Sequence, residues 1–266
     1  MSTITTITTE QVKELRDRTG ISVMQCRKAL EEAGGDMEKA IMILKKQSGI
    51  AAAKKGDRLA EAGLIVAKKG DQNGQHKAVA LVLNCETDFV GKNDDFVNLA
   101  KALLEKAWAD GKAAMETASA EMIAPVIQKV GENIKLGTVT EISSSNNLGL
   151  YIHDGKLGTI VEIKGGDEAL AKDIAMHIAA MKPEFKTREE VPAETVEQFK
   201  EIAAKEVDTT KPADIQEKIL AGKIESYFKD RTLMDQGFFK DTDKKVSDIL
   251  KTAGAEVVMY MPLSLV

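Results

Sequence analysis

A strand pair followed by an amphipathic helix occurs twice in this chain, and this repeat restricts the possible folds more than any other feature. In the first unit, apolar runs over 64–70 and 76–85 flank the turn sequence DQNGQ, and a helix follows from Asn93. In the second, a hairpin pattern over 148–166 leads into a helix over 167–181. Hairpins pair antiparallel strands, and the helix after each can cover one face of a sheet. The repeat therefore predicts an α+β protein with two related subdomains and antiparallel sheets.

The first 50 residues predict a compact unit of three helices. Residues that favour helix N-caps precede apolar residues at helical spacing, and glycine follows each helical stretch. The predicted helices run from Thr9 to Gly20, from Ser22 to Gly34 and from Asp36 to Gly49. We expect the alanine-rich stretch 51–58 to be a linker. A core this small is typical of a helical binding module, and its expected members are Met24, Ala29, Leu30, Ile41 and Leu44.

Residues 193–230 are charged and almost free of glycine, which distinguishes them from the flanking sequence. Apolar residues recur at helical spacing on both sides of a predicted turn at Asp208 to Pro212, so we expect an antiparallel helical hairpin that projects as an arm. Its facing side chains are expected to be Phe199, Ile202 and Ala203 on one helix and Ile215, Ile219, Ile224 and Phe228 on the other. After the arm, we expect a helix near 243–253 and an apolar strand that must pair into a sheet.

Charge and composition bear on the partner and on the compartment. The chain of 266 residues carries a formal net charge of -5, which provides no overall basic field for phosphate backbones, so we expect no direct nucleic acid partner. Its two cysteines, Cys26 and Cys85, lie far apart and are expected to be reduced core residues. The N-terminal sequence has no signal-peptide pattern, and no segment has 18 consecutive apolar residues. We therefore expect a cytoplasmic protein without membrane contact.

The sequence contains no motif for catalysis, for a metal site or for a bound cofactor. The three histidines, His76, His153 and His177, have no second ligand at metal-binding spacing, and no nucleophile, zinc-protease or dinucleotide motif occurs. We expect His177, on an apolar helix face, to be a core histidine. His153 lies in a predicted turn, where a solvated side chain and a contact residue are equally compatible with the pattern.

The segment NCETDFVGKN at 84–93 places a carboxylate beside a large aromatic side chain directly after a buried strand. These residues by themselves favour a structural role, in which Thr87 or Asp88 caps the turn and Phe89 covers the core. The alternative is that Phe89 is exposed and inserts into a partner protein, because aromatic side chains are strong interface anchors. For Val23 and Met24 in the helical module, the sequence likewise allows either a core position or an exposed position at an interface.

Several motifs, in one order, make the chain resemble bacterial translation elongation factor Ts, the family of guanine-nucleotide exchange factors for elongation factor Tu. These motifs are VKELRDRTG, MQCRKAL, NCETDFVGKN, VGENIKLG, YIHDGKLG and AMHIAAMKPEF, and together they span effectively the whole chain. The resemblance implies a protein of translation elongation that is not an enzyme and needs no cofactor. Its partner would be elongation factor Tu, in the GDP-bound and the nucleotide-free states. A homodimer through the arm or the core is compatible with the resemblance.

The resemblance also implies a division of the chain that agrees with the patterns above. Residues 1–54 would form a ubiquitin-associated-like helical domain. Residues 55–140 would form the N-terminal subdomain of an α+β core. Residues 141–190 and 232–266 would form the C-terminal subdomain of that core. The inserted arm would be an antiparallel coiled-coil hairpin over 191–231.

The resemblance further implies which residues contact the partner. Thr87, Asp88, Phe89 and Val90 match the family segment that approaches the partner's magnesium site, with the Phe wedged between two helices of the GTPase domain and the Asp beside the ion. His153 matches the family histidine near the partner's phosphate-binding loop. The family's N-terminal module contacts another helix of the GTPase domain through residues that match Arg16, Val23, Met24 and Arg27.

One departure and two alternatives accompany this interpretation. Gly91 stands where the family usually has Ala, so we expect a more mobile loop with a larger ordering cost on binding. An enzyme that uses His153 and Asp154 is one alternative function. An adaptor that uses the helical module alone is the other.

Overall fold

The structure is a computed structural model, and it describes residues 7–207, 210 and 212–265. Three N-terminal helices precede two three-stranded antiparallel sheets, each with its own helices, and two further helices are inserted before the last strands. This arrangement confirms the predicted α+β class with antiparallel sheets. The domain boundaries given above stay predictions.

The N-terminal module consists of α1 (Thr9–Thr19), α2 (Val23–Glu32) and α3 (Met37–Lys55). Ser22 and Asp36 are the predicted N-caps of α2 and α3, and the side chain of each accepts a hydrogen bond from a backbone N–H three residues later. The cap of α1 is Thr8 rather than Thr9, and it forms a capping box with Gln11. Local capping chemistry therefore determines where these helices begin.

Two expectations for this module are wrong. The third helix continues past Gly49 to Lys55, so the first part of the expected linker is helical, because its alanines are strong helix formers. Met24 is 78% exposed and is not a core residue. The core instead consists of side chains from all three helices and the loop between the first two: Val12, Leu15, Ile21, Cys26, Ala29, Leu30, Ala40 and Leu44.

The first sheet has the order β1-β2-β3, with β1 at Ala62–Gln72, β2 at Gln75–Cys85 and β3 at Ile134–Ser144. As predicted, β2 is the central strand, and every residue from Lys77 to Cys85 is buried. Three helices connect β2 to β3: the single turn α4 (Asp88–Gly91), α5 (Asp94–Asp110) and α6 (Lys112–Val130). One apolar core joins β2 to α5 and α6, so the end of β2 is firmly held.

The second sheet has the order β4-β5-β8, with β4 at Asn147–His153, β5 at Leu157–Lys164 and β8 at Glu256–Ser264. Helix α7 (Glu168–Met181) packs on β4 and β5. Both sheets contribute to one apolar cluster: Ile65, Ala78, Ala80 and Val82 from the first and Leu148, Ile160 and Leu263 from the second. The two predicted hairpin–helix units therefore share an interface between their sheets.

The C-terminal strand pairs with β5, as its apolar sequence required. Before it lie a short strand pair, β6 (Gly237–Phe238) and β7 (Asp241–Lys245), and then α10 (Val246–Thr252). The pair β6 and β7 was not predicted, because the polar sequence of β7 has no apolar alternation. It also makes α10 start later than the predicted helix.

The arm consists of α8 (Ala193–Lys205) and α9 (Ala213–Arg231), which pack on each other. The predicted turn begins at Asp208, which lies outside the described residues. The rings of Phe199 and Tyr227 pack against each other at a tilt of 32°, with centroids 4.2 Å apart. Two expected contacts are wrong, because Ile202 and Ile215 are exposed. Phe228 is partly buried and lies against the guanidinium of Arg188. Because each helix of the arm packs against only one other helix, only part of its apolar face is buried.

A cluster of charges attaches the arm to the second subdomain. Arg188 donates two hydrogen bonds to the Asp235 carboxylate, at 2.6 and 2.8 Å, and it also pairs with Glu225 on α9. Lys245 lies 2.9 Å from the same Asp235 carboxylate. The hydrogen bonds from Arg188 hold the pKa of Asp235 well below its ordinary value. An ion network therefore reinforces the root of the arm, where backbone hydrogen bonds also join Glu184 and Phe185 to Arg231.

Candidate functional site

The single helical turn α4 presents the side chain of Phe89 to solvent. Of the two expected caps, Thr87 and Asp88, Thr87 is the N-cap, and its hydroxyl oxygen accepts a hydrogen bond from the N–H of Val90 at 3.4 Å. Phe89 is 82% exposed, so the structural role in which it covers the core is wrong. Its neighbour Val90 is 8% exposed and packs into the core below.

A glutamate from the loop before β3 clamps this turn in place. Glu132 accepts two hydrogen bonds from Thr87, one from its N–H at 3.0 Å and one from its hydroxyl at 2.8 Å. Gly91 is buried at the other end of the turn, and its N–H donates to the Thr87 carbonyl at 3.1 Å. The exposed ring of Phe89 is thus carried by a backbone that is fixed on three sides: by Glu132, by Val90 and by Gly91.

Asp88 lies beside the ring on the surface and forms an ion pair with Lys92 at 3.2 Å. Both side chains are largely exposed, and an exposed pair of this kind contributes little to stability. The Asp88 carboxylate is therefore available to a partner at little cost. Together, Asp88 and Phe89 place one negative charge and one large aromatic ring side by side.

The thiol of Cys85 lies directly under the turn and is buried. Burial, together with the nearby negative charge of Glu132, raises the pKa of Cys85 to about 11. The S–H group donates to the Thr87 carbonyl at 3.1 Å. Cys85 is consequently a neutral core residue, as the sequence predicted, and not a reactive thiolate.

His153 lies at the start of the tight turn between β4 and β5. Asp154 and Gly155 have φ angles of 50° and 67°, and the Lys156 N–H donates to the His153 carbonyl at 3.0 Å. The imidazole is exposed, with Nδ1 hydrogen-bonded to the Tyr151 hydroxyl at 2.9 Å. Beside the ring is a shallow depression of about 400 Å³ with mainly apolar walls, lined by Tyr151, Leu157, Met176, Ala179 and Phe239.

The helical module exposes the four residues that the sequence singled out there. Val23 and Met24 occupy the first turn of α2 and are 50% and 78% exposed. Arg16 is exposed on α1, and Arg27 is exposed on α2, where it pairs with Glu31 at 3.1 Å. Two apolar side chains and two guanidinium groups are thus exposed on α1 and α2.

His177 is buried, as predicted, and its ring is fully satisfied. Nδ1 accepts a hydrogen bond from the Phe239 N–H at 3.3 Å, so Nε2 carries the proton and donates to Gln236 Oε1 at 3.0 Å. Burial lowers the pKa of His177. Over residues 7–207, 210 and 212–265, no three His, Cys, Asp or Glu side chains converge as metal ligands. None of the helices described there combines the length and apolar character that a membrane span requires.

Similarity to known proteins identifies the family of this chain. A family model described as "Elongation factor TS" matches residues 86–265. The elongation factor Ts of Hahella chejuensis is 41% identical over 258 residues, which cover 95% of this chain and 89% of the relative. That of Xanthomonas oryzae pv. oryzae is 44% identical over 271 aligned residues, covering 97% and 91%. This chain belongs to the elongation factor Ts family.

The predicted site residues lie on separate elements. The segment 87–90 forms α4 with its N-cap, and His153 lies at the end of β4. Arg16 lies on α1, whereas Val23, Met24 and Arg27 lie on α2. Sequence reasoning missed Glu132, which holds Thr87 from 45 positions away. A signal for it was present, because Glu132 lies in the motif VGENIKLG directly before β3. The motif carries no information about which turn its carboxylate reaches.

Proposed function

We propose that this chain is a guanine-nucleotide exchange factor for elongation factor Tu and acts in translation elongation. Membership of the elongation factor Ts family supports the partner. The single observation that carries the mechanism is the exposure of Phe89 on a turn that is fixed from below. A large ring held rigidly on the surface is suited to entering another protein, since little conformational entropy is lost on binding.

The mechanism follows from linkage between two ligands of the same protein. A nucleotide held through magnesium and a phosphate-binding loop dissociates slowly, because both contacts must break. An exchange factor that binds the nucleotide-free state better must weaken nucleotide binding by the same factor by which nucleotide weakens its own. No covalent step is required, so the exchange factor needs no catalytic residue of its own.

Each contact has a separate role in this scheme. Phe89 separates helices of the partner's GTPase domain, and Asp88 competes near the magnesium ion, so that the ion is displaced. His153 presses near the phosphate-binding loop. Val23 and Met24, with Arg16 and Arg27, hold a further helix of the GTPase domain. GDP then leaves and GTP can bind, and no cofactor takes part.

Release of a fluorescent GDP analogue from elongation factor Tu tests the proposal. The intact chain should accelerate release, and Phe89→Ala should reduce the acceleration by about 30-fold or more, the effect of losing an interface anchor. Leu59→Ala is a matched control, because Leu59 is 77% exposed but lies outside the proposed contacts. Unfolding of Phe89→Ala should match that of the wild type. If the wild-type chain does not accelerate release, the proposal is wrong.

The alternative functions make different predictions in the same assay. His153 Nε2 lies 3.7 Å from Asp154 Oδ2, and both side chains are exposed. This exposure favours a contact with a partner over an acid–base pair. An adaptor would bind elongation factor Tu without accelerating release. A cytoplasmic location and a homodimer through the arm or the core remain proposals.

A further inference from the structure

Two hairpin turns of this protein share a backbone conformation but differ in their surroundings. Asn73 and Gly74, between β1 and β2, have φ angles of 53° and 76°, close to the 50° and 67° of Asp154 and Gly155. A Cβ atom added at Gly74 would meet nothing within 4 Å. At Gly155 it would lie 2.5 Å from Cδ1 of Leu64 on β1. The turn that carries His153 is therefore docked on the first sheet, whereas the other turn is free.

A backbone hydrogen bond completes this docking. Because β1 is at the edge of its sheet, half of its N–H groups point away from β2. The N–H of Ile65 donates to the Gly155 carbonyl at 2.7 Å. The His153 turn thus supplies the partner for an edge group of the first sheet.

The turn that carries Phe89 rests on the same short piece of β1. A Cβ atom at Gly91 would lie 3.4 Å from the Gly63 carbonyl oxygen, so α4 is in contact with β1 there. Gly63 itself has a φ of 153°, and a Cβ atom on it would lie 2.2 Å from the Leu83 carbonyl oxygen. Only glycine allows β1 to approach β2 so closely at this point.

We propose that residues 63–65 of β1 form a shared seat that fixes the Phe89 turn and the His153 turn relative to each other. Gly155 is then a positioning residue for nucleotide exchange: it touches no nucleotide, and it holds His153 in register with Phe89. The inference rests on the proposed function, because it assigns Phe89 and His153 to one partner. It adds that the two contacts act as a unit.

The physical reason is preorganisation. Two contacts on one rigid body form together, whereas contacts on parts that move independently each lose conformational freedom on binding. Rigidly connected contacts are energetically coupled, so their substitutions are not additive. Loosening the seat should remove this coupling while each contact side chain is still present.

The first test measures docking in the free protein, without any partner. Amide hydrogen exchange at Ile65 reports on the bond to Gly155. We expect Gly155→Ala to accelerate exchange at Ile65 about tenfold, because it adds left-handed strain and a contact with Leu64. Gly74→Ala introduces comparable strain in the free turn and should leave Ile65 unchanged. Equal effects of the two variants would overturn the docking.

The second test measures coupling in GDP release from elongation factor Tu. Phe89→Ala, His153→Ala and their combination form a double-mutant cycle, made in the wild-type, Gly155→Ala and Gly74→Ala backgrounds. In the wild-type and Gly74→Ala backgrounds, we expect the loss of acceleration in the double variant to differ about fivefold from the product of the two single losses. In the Gly155→Ala background, the two should nearly agree. Unchanged coupling in Gly155→Ala would overturn the shared seat.

A second variant keeps the inference testable if Gly155→Ala folds poorly. Gly155→Asn carries less left-handed strain but retains the contact with Leu64, and it should also remove the coupling. Failure of the proposed function has a different signature: the wild type would not accelerate release, or neither single alanine variant would matter. Failure of the shared seat would leave both single effects intact and the coupling insensitive to Gly155.

Discussion

The Phe89 turn and the arm both expose apolar side chains, but they are held in different ways. The Phe89 turn is four residues long, too short to be helical alone, and it takes its conformation from Glu132 and the buried Val90. The arm pairs helices of 13 and 19 residues, which stabilise each other through Phe199 and Tyr227. Charges and backbone hydrogen bonds at its root attach it to the second subdomain. A short surface element therefore takes its conformation from contacts with the core. A long helix pair stabilises its own conformation and depends on the rest of the protein only for its attachment.

The largest expected effect is on the arm's own packing. Tyr227 is 9% exposed and packs against Phe199, so Tyr227→Ala should lower the local stability of the arm by about 3 kcal/mol. Amide hydrogen exchange should accelerate across α8 and α9 and stay unchanged in α4. Ile202→Ala, at an exposed position of the same arm, should change stability by less than about 0.5 kcal/mol. If α4 loosened together with the arm, the two regions would not be independent.

The next effect concerns the root of the arm and depends on pH. Asp235→Asn should destabilise the protein by about 2 kcal/mol at neutral pH, because the guanidinium of Arg188 loses the more buried of its two carboxylate partners. The pKa of Asp235 is lower in the folded than in the unfolded protein. Its contribution is therefore fully present above the ordinary pKa of about 4 and is lost as pH falls through the folded-state pKa. Unfolding curves of wild type and variant should converge in acid. A constant difference down to low pH would contradict this account.

A smaller effect is expected at the clamp on the Phe89 turn. Glu132→Gln should cost about 1 kcal/mol, since one oxygen that accepts from Thr87 becomes a donor. It should also lower the pKa of Cys85 from about 11, because the negative charge of Glu132 raises that pKa, although burial keeps it above normal. Titration of the thiol measures this directly. Glu121→Gln, at an exposed position on α6, should change neither quantity.

The smallest expected effect is a gain in stability. Gly91 is helical and buried, and a Cβ atom there would be in ordinary contact with the Gly63 carbonyl oxygen. Gly91→Ala should therefore stabilise the protein by about 0.5 kcal/mol by reducing the freedom of the unfolded chain. Chemical unfolding measures the change, and GDP release should not slow. A loss of stability would show that β1 cannot accommodate even a methyl group beside the turn.

Much of the fold could be predicted from local patterns. The apolar runs of β1 and β2 with a turn sequence between them predicted the first hairpin, and the same logic predicted the second. Ser22, Asp36 and Asn93 cap their helices as expected, because capping is a contact between residues a few positions apart. The satisfied, buried state of His177 followed from its apolar helix face.

The surface exposure of individual apolar residues could not be predicted in the same way. Ile202 and Met24 lie at positions whose helical spacing is compatible with burial, yet each faces solvent, because the module and the arm are too thin to enclose both sides of a helix. Exposure of these residues depends on where neighbouring elements lie.

The sequence by itself determined the two hairpins, the C-terminal strand, the caps of α2, α3 and α5, and the resemblance through which the family was expected. The tertiary structure alone decided that Val90 points inward and Phe89 outward. A single helical turn has no periodicity from which to choose between adjacent apolar residues. That choice is made by Glu132, 45 positions away, and by the close approach of β1 at Gly63. The seat shared by the Phe89 and His153 turns is likewise a contact between segments distant in sequence, so it exists only once both sheets have packed.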